Sequence, residues 1–334
     1  MAKEYQVLSR EVAVVHFVRL KNIFAVFFLI TLLSIMIGCD TLQFEGLPVA
    51  PGHLVMERVM IPGHFKKNDG TPFTANLDAI IIRPDDNQIH PLAMINHGYD
   101  PFDHKLRYID DFQRQTMEFA RRGWAAVAFS RRGYGRSDGY LTEGMKICNL
   151  SSYVRAGIVP IADMREVRSF MATKPYVDAS KMIAVGHSGG GYDVLALTAN
   201  PLPGLVAAIN FAGEIRTSKP NLESCNNETL VQAVANYGQT SRTPTLWIYA
   251  GNDNISPVEV GRRMYKAFTD AGGNAELIDN VWFPGDGHNL FFHPEGIPIW
   301  APYVDAFLEK QGLKLMDGLI PVSNMRIVTQ GDKQ

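Results

Sequence analysis

The sequence predicts an α/β protein with a mostly parallel central sheet and helices on both faces. Short, unbroken apolar runs recur along the chain, and segments with helical spacing of apolar residues lie between them. Glycine and proline mark the boundaries between the two kinds of segment. Unbroken apolar runs are typical of strands buried on both faces, as parallel strands are. Regular alternation of strands and helices therefore indicates a parallel sheet within a single layered domain.

The first two predicted strands differ from the others because they form a hairpin. They cover residues 53–62 and 75–83, and the Asp69-Gly70 pair between them is a typical hairpin turn. The remaining predicted strands are residues 92–96, 125–129, 182–185, 205–211, 245–250 and 276–283. The predicted helices are residues 110–122, 161–173, 189–200, 257–271 and 299–310. Residues 214–243 fit neither pattern, and we expect an irregular excursion there, with a small cap or none over the sheet.

The composition fits a globular chain and excludes several function classes. The 334 residues are 46% hydrophobic and 20% charged, which supplies enough apolar material for a sizeable core. The formal net charge is -2, so there is no basic excess of the kind that binds nucleic acid. Three cysteines are too few for a disulfide scaffold or a multi-cysteine zinc module. We expect one domain over residues 53–334.

The N-terminal segment has the layout of an export signal. Residues 23–37 form an apolar run that is shorter than the roughly 20 residues needed to span a membrane. Arg19 and Lys21 precede the run, and Gly38-Cys39 follows it in a pattern that resembles the bacterial lipobox. An uncleaved signal anchor and a buried apolar helix are the alternatives.

The lipobox resemblance makes three predictions. Residues 1–38 are a lipoprotein-type signal peptide, Cys39 is acylated, and residues 39–52 tether the domain to a bacterial membrane on its periplasmic side. Export leaves Cys148 and Cys225 in an oxidising compartment, where they can form a disulfide. The alternative is two unpaired buried thiols that pack as small apolar groups.

The strongest chemical motif is Gly186-His187-Ser188-Gly189-Gly190. It follows the predicted strand 182–185 and precedes a predicted helix. Glycines on both sides of the serine allow a sharp strand-to-helix turn that exposes the hydroxyl group at a helix N-terminus. We expect Ser188 to be a nucleophile; the alternative is a glycine-rich structural turn.

Two later residues complete a candidate catalytic triad. Asp253 follows the predicted strand 245–250, and His288 follows the last predicted strand. A histidine near its ordinary pKa can take the serine proton, and the aspartate can fix its tautomer. Glu214, which follows the strand 205–211, is the alternative acid.

The segment Asn96-His97-Gly98-Tyr99 follows the strand 92–96 and supplies a candidate oxyanion hole. We expect the amide groups of Tyr99 and Gly189 to face the developing negative charge. His97 then orients this loop rather than ionising. Arg131, which follows the strand 125–129, is more simply explained by a structural salt bridge than by substrate binding, and the same holds for the neighbouring Arg132.

The order Ser188, Asp253, His288 resembles that of the α/β-hydrolase superfamily over nearly all of residues 50–312. Within it, residues 244–257 (PTLWIYAGNDNISP), with Ala271-Gly272-Gly273 and Gly287-His288, are similar to the dienelactone-hydrolase-like branch. That branch implies neither a metal nor an organic cofactor. True dienelactone hydrolases use a cysteine nucleophile, so the serine implies a serine hydrolase and leaves the substrate open.

Together these observations predict a lipid-anchored, extracytoplasmic serine hydrolase of the carboxylesterase type. It is expected to act on a small-molecule ester through an acyl-enzyme, without a cofactor. A peptidase or amidase on the same triad is the first alternative. A non-catalytic envelope scaffold or binding protein is the second, since a fold does not by itself imply a function. Acyl size and oligomeric state stay open.

Overall fold

The strands predicted from the sequence belong to one sheet. The computed structural model describes residues 50–67, 69–100, 102–106, 109–145, 147–215 and 227–328. Nine strands in this part of the chain form the sheet. The strands are β1 (Leu54–Lys66), β2 (Pro72–Pro84), β3 (His90–Asn96), β4 (Ala125–Phe129), β5 (Val177–His187), β6 (Leu205–Phe211), β7 (Thr245–Ala250), β8 (Ala275–Val281) and β9 (Met325–Val328). The helices are α1 (Gln113–Ala120), α2 (Leu150–Ile158), α3 (Ile161–Met171), α4 (Gly189–Ala199), α5 (Asn227–Thr240), α6 (Val258–Asp270) and α7 (Ile297–Lys310).

The sheet is mostly parallel, as predicted. Its strand order is β8-β7-β6-β5-β3-β4-β2-β1-β9. Only β2 runs antiparallel to its neighbours, β1 and β4. The hairpin between β1 and β2 closes through a hydrogen bond from the Lys67 amide to the Thr71 carbonyl at 2.9 Å, and Gly70 takes the positive φ of 84° that its turn requires. The carboxyl ends of the parallel strands therefore share one edge of the sheet.

Two hydrophobic cores lie on the two faces of the sheet. Alternate residues along each central strand enter opposite cores; in β5, for example, Ala184 packs in one and Val185 in the other. One core includes buried side chains of α2, α3, α4, α5 and α6, whereas the other includes those of α1 and α7. Strands covered on both faces need apolar side chains throughout, which is why β4 reads AAVAF and is buried along its whole length.

The prediction that residues 214–243 form an irregular excursion is wrong for the second half of that range. Residues 227–240 form helix α5, which buries Leu230, Ala233, Val234 and Tyr237 on one side. These positions have the spacing of an amphipathic helix, but the polar residues before them obscured the pattern. Helix α2 and strand β9 were not predicted either. Asn149 caps α2 by accepting a hydrogen bond from the Ser152 amide at 2.9 Å.

Several predictions concern residues outside the described part of the chain. Residues 1–49, which include the predicted signal peptide, Cys39 and most of the tether, are among them, and so is Cys225. Cys148 is disulfide-bonded, and its pairing with Cys225 stays a prediction. Among the described helices none combines the length and the hydropathy needed to cross a bilayer.

Candidate active site

The predicted nucleophile lies at a strained turn between β5 and α4. Ser188 has φ 54° and ψ -126°, a left-handed conformation that side chains rarely adopt outside functional sites. Its neighbours must be glycine because the turn is crowded. A Cβ atom on Gly186 would lie 2.1 Å from the carbonyl oxygen of Gly190, and one on Gly190 would lie 2.3 Å from that of His97. The sequence motif therefore forms the sharp elbow that its glycines predict.

The predicted acid and base are hydrogen-bonded to each other. His288 Nδ1 lies 2.9 Å from Asp253 Oδ2 and 3.1 Å from Oδ1. The Asp253 side chain is fully buried, and its Oδ1 also accepts hydrogen bonds from the amides of Ile255 at 2.8 Å and Ser256 at 2.7 Å. A buried carboxylate with these donors is held as an acceptor that keeps the Nδ1 proton on His288. His288 Nε2 is then the nitrogen that can accept a proton.

Two polar side chains join the loop that carries the acid to the loop that carries the base. Asn252 Nδ2 donates to the carbonyls of Phe283 and Gly285, both at 2.7 Å, while its Oδ1 accepts from the Phe283 amide at 3.2 Å. Asp286 Oδ1 accepts from the amides of Asn254 at 3.1 Å and His288 at 3.0 Å. These contacts fix the distance between Asp253 and His288. Sequence reasoning missed both residues, although the Asn252-Asp253 pair is typical of a turn.

The predicted oxyanion donors lie beside one another. A Cβ atom on Gly98 would lie 3.2 Å from Ser188 Cβ, so the loop 96–99, the candidate oxyanion loop, passes directly over Ser188. A Cβ atom on Gly189 would lie only 2.7 Å from the amide nitrogen of Tyr99. The first residue of α4 and the end of the loop therefore meet at one point next to Ser188, which is the arrangement that an oxyanion hole requires.

The candidate site opens into a cavity of about 450 Å³. Ser188 and His288 both border it, but no hydrogen bond joins the two side chains among the contacts of the described residues. Catalytic hydrogen bonds commonly tighten only when substrate binds. The described lining residues that complete the cavity are His97, Gly98, Tyr99, Ile109, Asp111, Phe112, Ser130, His187, Ile255, Asn289 and Phe292.

The other residues considered in the sequence analysis contact groups outside the Asp253–His288 hydrogen bond. Glu214 is buried, and its amide donates to the Ser188 carbonyl at 3.3 Å, but His288 Nδ1 pairs with Asp253 instead. His187 Nε2 donates to the His288 carbonyl at 2.9 Å. Arg131 and Arg132 form buried ion pairs with Glu143 and Asp163, respectively, as their structural interpretation predicts; Arg131 Nε lies 2.6 Å from Glu143 and Arg132 Nε lies 2.9 Å from Asp163. Among the described residues no cluster of histidine, cysteine and acidic side chains could hold a metal ion.

Comparisons with known proteins agree with this architecture. A family model for X-Pro dipeptidyl-peptidase (S15 family) matches residues 69–219, which include the elbow and the oxyanion loop. A solved structure from Klebsiella pneumoniae, assigned as a dienelactone hydrolase, has a TM-score of 0.54 and 18% identity, and the match covers 77% of this chain and 99% of that one. The chain has the α/β-hydrolase fold.

Two further structures with the α/β-hydrolase fold extend the comparison. Esterase 2 from Thermogutta terrifontis has a TM-score of 0.53 and 21% identity, with 80% of this chain and 98% of that chain covered. The acylaminoacyl peptidase of Pyrococcus horikoshii has a TM-score of 0.51 and 18% identity, with 77% of this chain and 42% of that chain covered. The search among curated proteins finds no match. The predicted α/β-hydrolase fold is confirmed. The proteins named in these comparisons are peptidases, an esterase and a dienelactone hydrolase, all hydrolases by reaction class, in agreement with the prediction of a hydrolase.

Proposed function

We propose that the protein is a serine hydrolase of the carboxylesterase type that acts through an acyl-enzyme. The observation that carries the proposal is the buried Asp253–His288 pair at 2.9 Å, whose histidine borders the same cavity as the elbow serine. When a carboxylate accepts the Nδ1 hydrogen bond of a histidine, Nε2 carries no proton and can act as a general base that removes a proton from a nearby hydroxyl group. Ser188 supplies that hydroxyl group.

The reaction begins when Ser188 Oγ attacks the ester carbonyl and His288 Nε2 takes its proton. The tetrahedral oxyanion lies against the Tyr99 and Gly189 amides, where fixed donors stabilise the negative charge without reorganising. His288 then protonates the departing alcohol, and the acyl group stays on Ser188. A water molecule, activated by the same imidazole, hydrolyses the acyl-enzyme and restores the serine.

The cavity favours small, uncharged or cationic substrates. Ile109, Phe112 and Phe292 supply apolar walls, and Phe112 packs edge-on against Phe292 with ring centroids 4.9 Å apart. Asp111 is the one carboxylate among its described lining residues, and no lysine or arginine is among them. An anionic acyl group would therefore meet repulsion rather than a counter-ion at these positions.

A hydrolysis panel tests the proposal. The soluble domain, produced from residue 40, is assayed with p-nitrophenyl esters of increasing acyl length, with acyl chains of either neutral or carboxylate-terminated form. We expect turnover of short neutral esters, reduced turnover of their anionic counterparts, and complete loss in Ser188→Ala. Stoichiometric binding without turnover, unchanged by that substitution, would instead support a binding protein.

A peptidase or amidase activity is the second candidate, because the matching family is described as an X-Pro dipeptidyl-peptidase. Asp111 gives a physical reason to test it, since a carboxylate in the cavity can pair with a substrate ammonium group. Aminoacyl p-nitroanilides with free and acetylated amino groups distinguish the two candidates. Preference for the free amine, lost in Asp111→Asn, would favour the peptidase.

We also propose that the chain is exported and anchored through acylated Cys39. The proposal is supported by the apolar run and lipobox-like residues of the N-terminal segment. The first described residue, Ala50, is buried and donates to the Leu319 carbonyl at 3.1 Å. Radiolabelled palmitate should be incorporated by the wild type and not by Cys39→Ala; equal incorporation would exclude this anchor.

A further inference from the structure

Arg131, in the segment that follows β4, has no part in the chemistry proposed above, yet it contacts the oxyanion loop (residues 96–99). Arg131 is fully buried. Its Nη1 donates to Asn96 Oδ1 at 2.9 Å and to the His97 carbonyl at 2.6 Å, and its Nη2 donates to the Gly98 carbonyl at 3.1 Å. The other donors, on Nε and Nη2, bind Glu143 at 2.6 and 2.7 Å. One planar guanidinium therefore joins two consecutive loop carbonyls to a buried carboxylate.

The Gly98 carbonyl has a second donor as well. His97 Nδ1 lies 2.7 Å from it, and the Arg131 amide donates to His97 Nε2 at 3.0 Å. A carbonyl oxygen can only accept, so Nδ1 must carry the imidazole proton and Nε2 must be the acceptor. His97 is therefore held in one neutral tautomer, and both donors to the Gly98 oxygen depend on Arg131.

The geometry of a trans peptide relates this carbonyl to the catalytic centre. The Gly98 oxygen and the Tyr99 amide hydrogen belong to the same planar peptide and point in opposite directions. Holding the oxygen towards Arg131 therefore turns the Tyr99 N–H away from Arg131, towards the start of α4. Gly189 at that position approaches the Tyr99 nitrogen so closely that its missing Cβ would lie 2.7 Å away.

We infer that Arg131 is a positioning residue for the oxyanion hole: its guanidinium fixes the peptide between Gly98 and Tyr99 so that the Tyr99 amide faces the oxyanion formed at Ser188. The inference rests on the proposed serine hydrolase function. It goes further because it assigns transition-state stabilisation to a side chain that never touches the substrate.

Lysine cannot perform the same task. Its ammonium group has three donors on a single atom, whereas the contacts of Arg131 extend from Glu143 on one side to the His97 and Gly98 carbonyls on the other. Arg131→Lys keeps the charge that the buried carboxylates require and removes the planar fork. The substitution therefore separates loop positioning from charge balance.

Arg132 provides a matched control. It is also buried and pairs with a buried carboxylate, with Nε 2.9 Å and Nη2 3.1 Å from Asp163. Its guanidinium carbon lies 3.9 Å from the centre of the Phe65 ring. None of its side-chain contacts among the described residues reaches the loop 96–99. Arg132→Lys therefore makes the same chemical change in a similar buried pair without touching the oxyanion loop.

The experiment compares the wild type, Arg131→Lys and Arg132→Lys with p-nitrophenyl acetate and a small alkyl trifluoromethyl ketone, whose serine adduct carries an oxyanion. Active-site concentrations come from titration with a fluorophosphonate, and melting temperatures are measured in parallel. We expect kcat and kcat/KM of Arg131→Lys to fall together on the order of 10²-fold, with the ketone Ki raised by the same factor. Arg132→Lys should change kcat/KM and Ki by less than about threefold.

Equal losses in the two lysine variants, or an unchanged ketone Ki in Arg131→Lys, would overturn the inference. If Arg131→Lys does not fold, Glu143→Gln weakens the carboxylate contacts that hold the Arg131 guanidinium at 2.6 and 2.7 Å and should raise the ketone Ki and lower kcat/KM together; an unchanged Ki there also overturns the inference. A wild type inert to both p-nitrophenyl acetate and the fluorophosphonate would refute the proposed function itself. An active wild type with indistinguishable variants refutes only the role of Arg131.

Discussion

Replacing Asp253 by asparagine should stop turnover because the surroundings of this side chain dictate how an amide would lie. Asp253 Oδ1 accepts hydrogen bonds from the amides of Ile255 at 2.8 Å and Ser256 at 2.7 Å. Both groups can only donate, so the oxygen of an asparagine must take the Oδ1 position. Its NH2 group then takes the Oδ2 position, which lies 2.9 Å from His288 Nδ1.

An NH2 group at that position reverses the histidine tautomer. His288 Nδ1 must then accept, so the single imidazole proton moves to Nε2, and Nε2 can no longer remove a proton from Ser188. The analogous change in a serine protease triad lowers kcat about 10⁴-fold. At 1.36 kcal/mol for each tenfold change, we expect the barrier to rise by about 5.4 kcal/mol. Folding should change little, because both backbone hydrogen bonds to the side-chain oxygen are kept.

The assay is kcat for p-nitrophenyl acetate, normalised to folded protein, with Glu214→Gln as the matched control. Glu214 is a buried acid whose amide contacts the elbow through the Ser188 carbonyl. Since it does not hold His288, we expect Glu214→Gln to keep turnover within about tenfold of the wild type. The reasoning would be refuted if the glutamine variant were the inactive one, or if Asp253→Asn kept more than about a tenth of wild-type turnover.

Three further substitutions test other parts of the site. Ser188→Ala should abolish labelling by a fluorophosphonate and shift the melting temperature by less than about 2 °C, because among the described contacts its hydroxyl group makes no hydrogen bond; residual labelling would exclude Ser188 as the nucleophile. Gly190→Ala places a methyl group 2.3 Å from the His97 carbonyl oxygen, so we expect the free energy of unfolding, measured with urea, to fall by about 1–3 kcal/mol. An unchanged free energy of unfolding would contradict the conclusion that the turn at Ser188 is crowded. Burial raises the pKa of Asp193 well above its usual value, and the nearby Arg131 only partly opposes the rise. Because its pKa is raised, the native state binds this proton more tightly than the unfolded chain, which releases it above about pH 4; this group therefore lowers stability as the pH rises above about pH 4, and Asp193→Asn should flatten the accompanying fall of melting temperature. Parallel curves for the two proteins would refute this protonation state.

The sequence predicted the sheet well because its central strands are buried on both faces. The run TLWIYA of β7 has no exposed residue, and such a run fits few other structures. Helix α5 was missed for a physical reason: only Leu230, Ala233, Val234 and Tyr237 carry its pattern, after a polar stretch that suggested a loop. Strand β9 has four residues, all at least partly exposed, and its pairing with β1 depends on a partner more than 250 residues earlier in the chain.

The candidate triad was predictable because each member follows a recognisable strand, whereas the residues that position it were not. Arg131 contacts the loop 96–98, Glu143 and Asp193, which are brought together only by the folded chain. A sequence shows that such residues are charged but not which of them share a buried pair. The structural salt bridge predicted for Arg131 was of the right kind, while its bonds to the oxyanion loop could not be seen in any local pattern.

Each group to which we assign a role in the proposed reaction is held by a different kind of contact. Glycine contacts shape the turn at Ser188, Asn252 and Asp286 join the loops of the acid and the base, and Arg131 holds the oxyanion loop. Because these three sets of contacts share no side chain, a substitution that removes one set need not disturb the others. Loss of the acid–base alignment should impair proton transfer, and with it labelling by a fluorophosphonate, whereas loss of Arg131 should weaken the binding of oxyanion adducts while leaving the histidine tautomer intact. The two kinds of variant should therefore be distinguishable when the rate of fluorophosphonate labelling and the trifluoromethyl ketone Ki are measured on the same protein.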